Sequence, residues 1–319
     1  FYGTRHQGIM PYDIVIIGGG PAAVAAGVYA ARKKVKTLLI AESFGGQSLV
    51  SADIHNWIGE RSISGIVLAE KLEGHIRGYK DDVEIWDDRV ESVTRSAADG
   101  QLFLIRTKAG KSAEARTVIV CSGSSRKRLG IAGEDRLDGK GVAFCSICDA
   151  PLFGGKDVVV IGSGNAGLEA VIDLHPYAKK IYLVNRGTVL KGDAVTQEKI
   201  RSFKSVEFIF NAVPTAIMGD GFVSGMKYKD SITGEEKTLA VEGVFIEIGS
   251  VPNSGLVKGL VDTDATNHII VDPRTMRASA LGIWAAGDVT NGPYQQNNIA
   301  AGDAIRALLN AHAYLISGI

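Results

Sequence analysis

The sequence has little cysteine and little proline, no net charge and no long apolar run. Its 319 residues include 3 Cys and 8 Pro, and 35 Lys and Arg balance 35 Asp and Glu. So few cysteines exclude a disulfide-stabilised scaffold and predict a reducing, cytoplasmic location. The charge balance disfavours binding to nucleic acid, and no apolar run approaches the ~18 residues of a membrane span. Residues 1–7 lack the apolar core of a secretory signal, so we treat them as an extension.

Glycine, in contrast, is abundant. The 39 glycines are about 12% of the chain, where about 7% is usual. They show no collagen period, so they must have local roles. The length favours two domains, since a domain has roughly 100 to 200 residues.

A strand–glycine turn–helix–strand unit occurs twice, and this predicts an α/β fold with two Rossmann-like dinucleotide-binding domains. Further β-rich stretches follow each copy and predict an added antiparallel layer, which gives a three-layer ββα architecture. The first copy comprises residues 12–17, 18–23, 24–32 and 37–40, and the second comprises residues 157–161, 162–167, 168–174 and 181–184. The added β-rich stretches are residues 83–93, 102–120, 206–210, 222–228 and 241–248.

The two glycine turns have the residues that a pyrophosphate-binding loop needs. One glycine allows the tight turn, the next lets the backbone approach the phosphates, and a third small residue packs the helix on the strand. Glu42 lies 24 positions after Gly18, where an acid would bind a ribose hydroxyl. The alternative, that the glycines only pack helices on sheets, leaves the position of Glu42 unexplained. The residues in these three roles are Gly18, Gly20 and Ala23 in the first copy and Gly162, Gly164 and Gly167 in the second.

Cys145 and Cys148 form a C-x-x-C motif, which is typical of a redox-active dithiol. Zinc would need two further ligands, but Cys121 ends an apolar strand and the six histidines are scattered. We therefore predict no metal site. Asp149 is a candidate general acid for a leaving thiolate, with a helix-cap role as the alternative. Because a flavin accepts hydride better than a dithiol does, two dinucleotide sites on one chain suit FAD plus NAD(P)H.

From residue 12 to the C-terminus, the sequence resembles the low-molecular-weight thioredoxin reductases and the related flavoprotein subunit of alkyl hydroperoxide reductase. The resemblance implies an FAD-binding domain of residues 10–124 plus 250–319, into which an NAD(P)-binding-like domain of residues 125–249 with the dithiol is inserted. Residues 122–125 and 249–252 are Gly/Ser-rich breaks beside strands and therefore candidate hinges, and the resemblance implies that one domain rotates against the other about them. The matching motifs are residues 18–23, 45–47, 54–57, 145–149, 162–167, 243–249, 252–253, 285–289 and 292–296.

The same resemblance implies roles for individual residues. Cys148 would receive electrons from the flavin, Cys145 would attack the substrate disulfide, and Asp149 would act as acid and base. Asp288, in a turn after an apolar strand, also suits a ribityl hydroxyl on its own chemistry, with plain turn formation as the alternative. The positions that match FAD contacts are Gly18, Gly20, Pro21, Ala22, Glu42, Gly46, Gln47, Asn56, Gly287, Asp288 and Gln296, and those that match nucleotide contacts are Gly162, Gly164, Asn165, Ala166, Arg186 and Lys191.

The sequence departs from the family pattern at the second nucleotide site. NADPH-dependent members have a His-Arg-Arg stretch and a further Arg, where this chain has Asn185, Arg186, Gly187 and Lys191. Arg186 and Lys191 are either a partial clamp for a 2′-phosphate or solvated charges. No acid follows the strand to bind a free 2′-hydroxyl, so NADPH, NADH and ferredoxin all stay open as electron donors.

We therefore predict a homodimeric, FAD-dependent thioredoxin-disulfide reductase whose partner is thioredoxin or a thioredoxin-like protein. The alternatives are a ferredoxin-dependent flavin thioredoxin reductase and the reductase module of a peroxidase system. The module would need a second dithiol on a partner or on another domain. Leu152 and Phe153, just after the dithiol, are a candidate docking pair, with core packing as the alternative.

Overall fold

The computed structural model describes residues 10–51, 54–97 and 100–317, so the extension at residues 1–7 lies outside it. The chain divides into two compact units. The first comprises residues 10–49, Gly65–Ser125 and residues 251–317, and the second comprises Val50–Ser64 and Arg126–Ser250. Residues 50, 51 and 54–64, which the resemblance counts with the FAD-binding domain, group with the second unit.

The elements follow the predicted alternation of strands and helices. Short 3₁₀ helices cover Gly46–Val50, Ala150–Phe153 and Gly255–Val257. The helices are α1 (Pro21–Arg32), α2 (Gly65–Arg77), α3 (Ser146–Asp149), α4 (Asn165–Leu174), α5 (Ala194–Arg201) and α6 (Asn297–Ser317). The strands are β1 (Tyr12–Ile17), β2 (Thr37–Ala41), β3 (Val83–Asp87), β4 (Val90–Arg95), β5 (Phe103–Thr107), β6 (Ser112–Val120), β7 (Ser124–Arg126), β8 (Val142–Ala143), β9 (Asp157–Ile161), β10 (Lys180–Val184), β11 (Val206–Ile209), β12 (Ala212–Met218), β13 (Gly225–Asp230), β14 (Glu236–Leu239), β15 (Gly243–Ile246), β16 (Ser250–Pro252) and β17 (Ile283–Ala285).

The first unit is built on a sheet in the order β3-β2-β1-β6-β5-β4, with β17 beside the end of β6. Strands β3, β2, β1, β6 and β17 are parallel, whereas β4 and β5 run antiparallel to their neighbours. The central parallel strands are buried along almost their whole length. This is why their sequences are mostly continuous apolar runs rather than alternating ones.

Helices α1 and α6 of this unit pack closely because their contact faces are small. The buried residues of α6 are Ala300, Ala304, Ala307, Leu308 and Ala311, which recur at the spacing of one helical face. Helix α1 begins at Pro21, whose fixed φ suits the first helical position, and Gly20 is its N-cap.

The second unit repeats the parallel sheet and adds a separate antiparallel one. The parallel sheet has the order β11-β10-β9-β15-β8, and the antiparallel sheet has the order β12-β13-β14. The predicted fold class, two Rossmann-like domains in a mixed α/β chain, is confirmed. The chain passes between the units at β7 and β16, which pair with each other.

The strands of the second antiparallel layer differ from those that the sequence predicts. The stretches at residues 206–210 and 241–248 form β11 and β15 of the parallel sheet. Strand β12 takes their place, with Pro214 in it and a bulge between Pro214 and Ala216. Proline removes a ladder hydrogen bond and is confined to edges and bulges, so the sequence of β12 does not predict a strand.

No helix among the described residues is long and apolar enough to cross a membrane.

Candidate active site and cofactor-binding loops

The first glycine loop joins β1 to α1. Gly18 has a φ of 127°, and a Cβ atom there would lie 2.2 Å from the carbonyl oxygen of Cys121. Only glycine fits this position, because the conformation and the space both exclude a side chain. Gly20 leaves the backbone N–H groups at the start of the 12-residue helix α1 without a side chain above them. Such a helix start attracts a phosphate.

A cavity of about 1000 Å³ lies over this loop, and all of its lining residues belong to the first unit. Gly46, at a φ of 59°, packs against Gly20 in the wall of the cavity, and a Cβ on Gly46 would lie 3.4 Å from the Gly20 Cα. Side chains at these two positions would narrow the cavity at the helix start. Several predicted cofactor contacts line the cavity, namely Gly18, Gly20, Pro21, Glu42, Gly46, Gln47 and Asp288.

Gln47 and Asp288 meet in this cavity. The side-chain amide of Gln47 donates to the Asp288 carboxylate and to the Ser124 hydroxyl, both at 3.1 Å. Asp288 stands one residue after Gly287, whose φ of 76° turns the chain out of the β17 segment. The pair therefore presents a carboxylate and an amide to any ligand between the glycine loop and α6.

Glu42 lies at the other end of the cavity, just after β2. Its carboxylate is 3.8 Å from the Arg89 guanidinium, and its side chain is 58% exposed. A carboxylate held in this way at the end of the second strand can accept hydrogen bonds from ribose hydroxyls.

Four predicted flavin contacts do not line the cavity, namely Ala22, Asn56, Gly287 and Gln296. Ala22 is buried in α1 and packs against Gly287, where a Cβ would lie 3.5 Å from the Ala22 Cβ. Asn56 lies in the second unit. Gln296 immediately precedes α6, and its neighbour Asn297 lines the cavity and bonds to the Ser48 hydroxyl instead. The role of each as a flavin contact stays a prediction.

Cys121 also lines the cavity, and it is a buried free thiol. Burial raises its pKa to about 12. The thiol therefore stays protonated and unreactive at neutral pH, in keeping with its predicted place in the apolar core.

The second glycine loop joins β9 to α4 with the same geometry. Gly162 has a φ of 127°, and a Cβ there would lie 2.2 Å from the carbonyl oxygen of Glu247. Gly167 packs on Gly162 so closely that a Cβ would lie 2.0 Å from the Gly162 carbonyl oxygen. Gly164 is the N-cap of α4 and is exposed, as are Asn165 and Ala166. This helix start can also receive a phosphate.

The segment after β10 folds back on the second glycine loop. The Ser163 carbonyl accepts hydrogen bonds from the N–H groups of Lys191 and Gly192, both at 2.9 Å. The Asn165 side chain accepts the Asp193 N–H at 2.8 Å. Buried Asn185 closes the turn, since its amide donates to the Val189 carbonyl at 2.7 Å. The exposed cations Arg186 and Lys191 therefore stand on a segment fixed to the loop.

The dithiol lies in the second unit, where Cys145 and Cys148 form a disulfide with their Cα atoms 5.3 Å apart. Cys145 is the N-cap of the single turn α3, and Cys148 lies inside it. Ile147 between them is 60% exposed. Of the candidate docking pair, Leu152 is 37% exposed, but Phe153 is buried against Phe245 at a ring-centroid distance of 4.8 Å. Phe153 is therefore a core residue.

Asp149, directly after Cys148, is an acid tuned for proton exchange near neutral pH. Burial raises the pKa of its carboxyl group to about 6, the Arg126 guanidinium opposes the shift, and Asp138 adds to it. A carboxyl group with this pKa exchanges protons efficiently at the pH where thiols react. Asp149 ends α3 and is also the N-cap residue of the 3₁₀ helix Ala150–Phe153, but its side chain makes no capping hydrogen bond there.

A second carboxyl group near the dithiol, Glu247, is absent from the predicted site residues. It follows β15 and is half-buried. Burial raises the pKa of this group to about 8, with Arg126 and the Ser146 N–H opposing the shift and Asp173 and Asp149 adding to it. In the sequence Glu247 only ends an apolar strand, so no local signal connects it with residues about 100 positions earlier.

Two glycine loops of dinucleotide-binding form, a large cavity over the first and a dithiol beside an acid in the second unit are features of the dinucleotide-binding disulfide oxidoreductases. The model of the pyridine nucleotide-disulphide oxidoreductase family matches residues 12–304. The chain belongs to this family, whose thioredoxin reductase and alkyl hydroperoxide reductase members bind FAD and use NAD(P)H.

Individual relatives fall into two groups. The chain is 42% identical over 306 residues to the F subunit of the alkyl hydroperoxide reductase of Pseudomonas putida, with 96% of this chain and 58% of that protein covered. It is 38% identical over 307 residues to a Bacillus subtilis protein named NADH dehydrogenase, with 96% and 59% covered. The chain thus spans less than two thirds of the length of these curated relatives.

The other group consists of solved structures of thioredoxin reductases. The enzyme from Streptococcus pyogenes is 34% identical and superimposes with a TM-score of 0.88 over 96% of this chain and 98% of its own. The enzyme from Giardia duodenalis is 30% identical, with a TM-score of 0.88 over 96% and 99%. Their likeness extends over almost the whole of each chain.

Proposed function

We propose that this chain is an FAD-dependent disulfide reductase that uses NAD(P)H to reduce the disulfide of a thioredoxin-like partner. The balanced reaction is NAD(P)H + H⁺ + partner disulfide → NAD(P)⁺ + partner dithiol. The observation that carries the proposal is the Cys145–Cys148 disulfide beside Asp149, in a unit that also has a dinucleotide-type glycine loop. A structural disulfide would need neither the acid nor the loop.

The cavity of the first unit fits FAD. Gly18, Gly20 and Pro21 would hold the pyrophosphate at the start of α1, Glu42 would bind the adenosine ribose, and Gln47 with Asp288 would meet the ribityl chain. When bound, FAD accepts hydride from the nicotinamide and delivers an electron pair to a disulfide. The fit rests on the glycines, since side chains at Gly20 and Gly46 would occupy the space over the helix start.

The dithiol then transfers the electron pair to the partner by exchange. In the reduced protein, the Cys145 thiolate attacks the partner disulfide and forms a mixed disulfide, and one partner thiolate leaves. Cys148 next attacks the Cys145 sulfur, which releases the second partner thiolate and restores the internal disulfide. Asp149 donates a proton to a leaving thiolate and takes one from an attacking thiol, as its pKa of about 6 allows.

Either pyridine nucleotide is compatible with the second loop. Arg186 and Lys191 are positioned beside the loop to bind an adenosine 2′-phosphate, which favours NADPH. They are fewer than the cations of the usual NADPH clamp, and one relative has the name NADH dehydrogenase. We therefore propose either NADPH or NADH as the electron donor, with reduced ferredoxin as the alternative.

Two partners follow from the two groups of relatives. A thioredoxin is favoured by the full-length likeness to thioredoxin reductase structures. A peroxidase system is favoured by the higher identity to the F subunit of alkyl hydroperoxide reductase, of which this chain spans 58%. In the second case, a second dithiol on another domain or protein would relay the electrons. Exposed Ile147, between the two cysteines, offers an apolar contact to either partner.

Anaerobic stopped-flow absorption of the flavin-loaded protein distinguishes the candidate electron donors and the candidate partners. NADPH, NADH and reduced ferredoxin are mixed with the protein in parallel, and bleaching of the flavin identifies the donor. Thioredoxin, or a peroxiredoxin with a dithiol carrier and a hydroperoxide, is then added to the reduced protein. Bleaching by ferredoxin but by neither nucleotide would overturn the proposed donor.

Cys148→Ser tests the electron path. The variant should keep flavin reduction and lose disulfide turnover, because its flavin has no disulfide to reduce. Ser231→Ala is the control, since Ser231 is an exposed residue just after β13 and its replacement should not affect turnover. Retained turnover in Cys148→Ser would contradict the dithiol path.

The homodimer also stays a proposal, and sedimentation velocity tests it.

A further inference from the structure

A side-chain hydrogen bond fastens α3, the helix of the dithiol, to α4. The hydroxyl group of Ser146, inside the C-x-x-C motif, donates to the Asp173 carboxylate at 2.7 Å. Ser146 is buried and is the first residue of α3, whereas Asp173 lies in the last turn of α4. Helix α4 begins at the second glycine loop, so the bond joins the dithiol to the helix that would carry the nucleotide phosphates.

Helix α3 depends on such contacts with its neighbours. It has four residues, and its N-cap Cys145 makes no side-chain capping hydrogen bond. A helix of one turn is not stable by itself, because the first turn fixes several residues for very few hydrogen bonds. The backbone bond from the Asp149 N–H to the Cys145 carbonyl, at 3.0 Å, closes the turn. Contacts such as the Ser146–Asp173 bond must therefore hold that turn in place.

The position of Asp173 is unfavourable for α4 itself. An acid in the last turn of a helix lies at the negative end of the helix dipole, and none of the residues of this turn is basic. A half-buried carboxyl group there needs a hydrogen-bond donor, and the Ser146 hydroxyl supplies one. The contact with the dithiol helix thus accounts for an acid that does not stabilise its own helix.

The bond restricts the dithiol more than the disulfide. In the oxidised protein, the covalent link between Cys145 and Cys148 already holds their Cα atoms 5.3 Å apart. In the reduced protein that link is gone, and the Ser146 hydroxyl still ties the turn to α4. A constraint on the dithiol lowers its conformational entropy, and this favours closure of the disulfide ring.

We propose that Asp173 is a positioning residue for the redox reaction, which through Ser146 holds the reduced cysteines in the geometry of the disulfide and thereby lowers their reduction potential. The proposal rests on the proposed function only in taking the dithiol as redox-active. A lower potential makes the dithiol a stronger reductant of a partner disulfide. The hydrogen bond has this effect and the charge of Asp173 does not, so a neutral acceptor at position 173 should serve equally well.

The test is the equilibrium protein disulfide + reduced dithiothreitol ⇌ protein dithiol + oxidised dithiothreitol, which needs neither a nucleotide nor a protein partner. The intact protein is equilibrated anaerobically at a series of dithiothreitol ratios and quenched with acid. Its thiols are then counted by alkylation and intact mass.

The variants separate the hydrogen bond from the charge. Ser146→Ala and Asp173→Ala each remove the bond, whereas Asp173→Asn keeps an acceptor without a charge. Glu169→Ala is the matched control, since it removes an exposed acid from the same helix.

We expect Ser146→Ala and Asp173→Ala each to raise the equilibrium constant for reduction about tenfold, which is a reduction potential higher by about 30 mV. The double variant should match the single ones, because either change removes the same bond. Asp173→Asn and Glu169→Ala should stay within roughly twofold of the wild type, or about 9 mV. An unchanged constant in both alanine variants would overturn the proposal. A shift in Asp173→Asn as large as that in Asp173→Ala would also overturn it, since the charge would then be the cause.

Hydrogen exchange of the peptide that contains α3 tests the physical cause. Ser146→Ala should speed exchange in the reduced protein more than in the oxidised protein, where the disulfide still holds the turn. Equal acceleration in both redox states would overturn the proposal, as would faster exchange throughout the second unit, which would attribute the effect to unfolding. Failure of the proposed function, in contrast, would appear as absent partner turnover with these equilibrium and exchange results unchanged.

Discussion

Gln47 donates a hydrogen bond to Asp288 at 3.1 Å across 241 positions of sequence. The bond joins the 3₁₀ helix after β2 to the turn after β17, and the same amide reaches Ser124 at the end of the first unit's middle segment. Three distant segments therefore meet at one amide group on the wall of the proposed flavin cavity. We propose that this polar cluster contacts the cofactor, and its hydrogen bonds also hold the three segments together.

Asp288→Ala should weaken FAD binding strongly, because it removes the carboxylate that we place at the ribityl chain. A charge-assisted hydrogen bond contributes about 1.5–3 kcal/mol, so the dissociation constant of FAD should rise at least tenfold. The measurement is flavin fluorescence on titration of the flavin-free protein. Asp81→Ala, at an exposed acid of the same unit, should bind as the wild type does. Equal affinities in both variants would remove Asp288 from the site.

Gly18→Ala should prevent both correct folding of the first loop and flavin retention. The added methyl group would lie 2.2 Å from the Cys121 carbonyl oxygen, at a φ of 127°. Backbone strain of this kind costs about 1–3 kcal/mol before the clash is counted. Gly74→Ala in α2 is the control, since a Cβ there meets no atom of the described residues within 4 Å, and it should stabilise the helix slightly. Thermal denaturation and the flavin-to-protein absorbance ratio check both.

Gly164→Val should leave the protein folded and yellow but impair its use of the pyridine nucleotide. Gly164 has an ordinary φ of −77°, and among the described residues no atom lies within 4 Å of its Cβ position. The side chain would therefore fit the protein and occupy the place of the phosphates. We expect the KM for the nucleotide to rise about tenfold or more, equivalent to about 1.4 kcal/mol. An unchanged KM together with normal flavin content would argue against nucleotide binding at this loop.

Asp149→Asn should lower disulfide turnover by about a hundredfold, the lower end of what general acid–base catalysis contributes. The pH profile of turnover in the wild type should show an ionisation near pH 6, where the pKa of Asp149 lies, and the variant should lack it. Glu198→Gln, at a position on α5 away from the dithiol, serves as the control. A variant profile that keeps the ionisation would assign it to another group.

The same substitution should make the protein more stable at neutral pH. Because burial raises the pKa of Asp149 in the folded state to about 6, its contribution to the free energy of unfolding is fully present below the ordinary pKa of about 3.9 and is lost as pH rises through 6. The asparagine side chain does not ionise, so the variant does not lose stability in this way as the pH rises. In urea unfolding, Asp149→Asn should have a larger free energy of unfolding than the wild type at pH 7.5 but not at pH 4. Equal free energies of unfolding at both pH values would contradict the burial of a charge at Asp149.

Features with a local signature are predictable from this sequence. The two glycine loops are examples, because a strand, a tight turn and a small-residue helix are contiguous in the chain, and the structure shows the same φ of 127° at Gly18 and Gly162. The C-x-x-C motif is another, since its two cysteines lie close enough in sequence to bond. Such signals identify the fold class and the dithiol without any tertiary information.

Features that depend on distant contacts are not predictable in this way. Strand β11 extends the parallel sheet because it pairs with β10, not because its sequence differs from that of an antiparallel strand. Glu247 and Asn297 enter the sites through packing, and only the fold brings them there. The reverse applies to Phe153, whose position next to the dithiol in sequence suggests docking but whose ring packs in the core.

The carbonyl groups that close the two glycine loops come from matching positions, Cys121 after β6 and Glu247 after β15. In each unit this residue follows the strand that pairs with the first strand of the loop. The backbone carbonyl of this residue closes the glycine loop in both units, whereas its side chain differs between them. One copy has a buried thiol on the wall of a cavity, and the other has a half-buried acid. A duplicated fold can thus hold a backbone position constant and use its side chain to give each half a different chemistry.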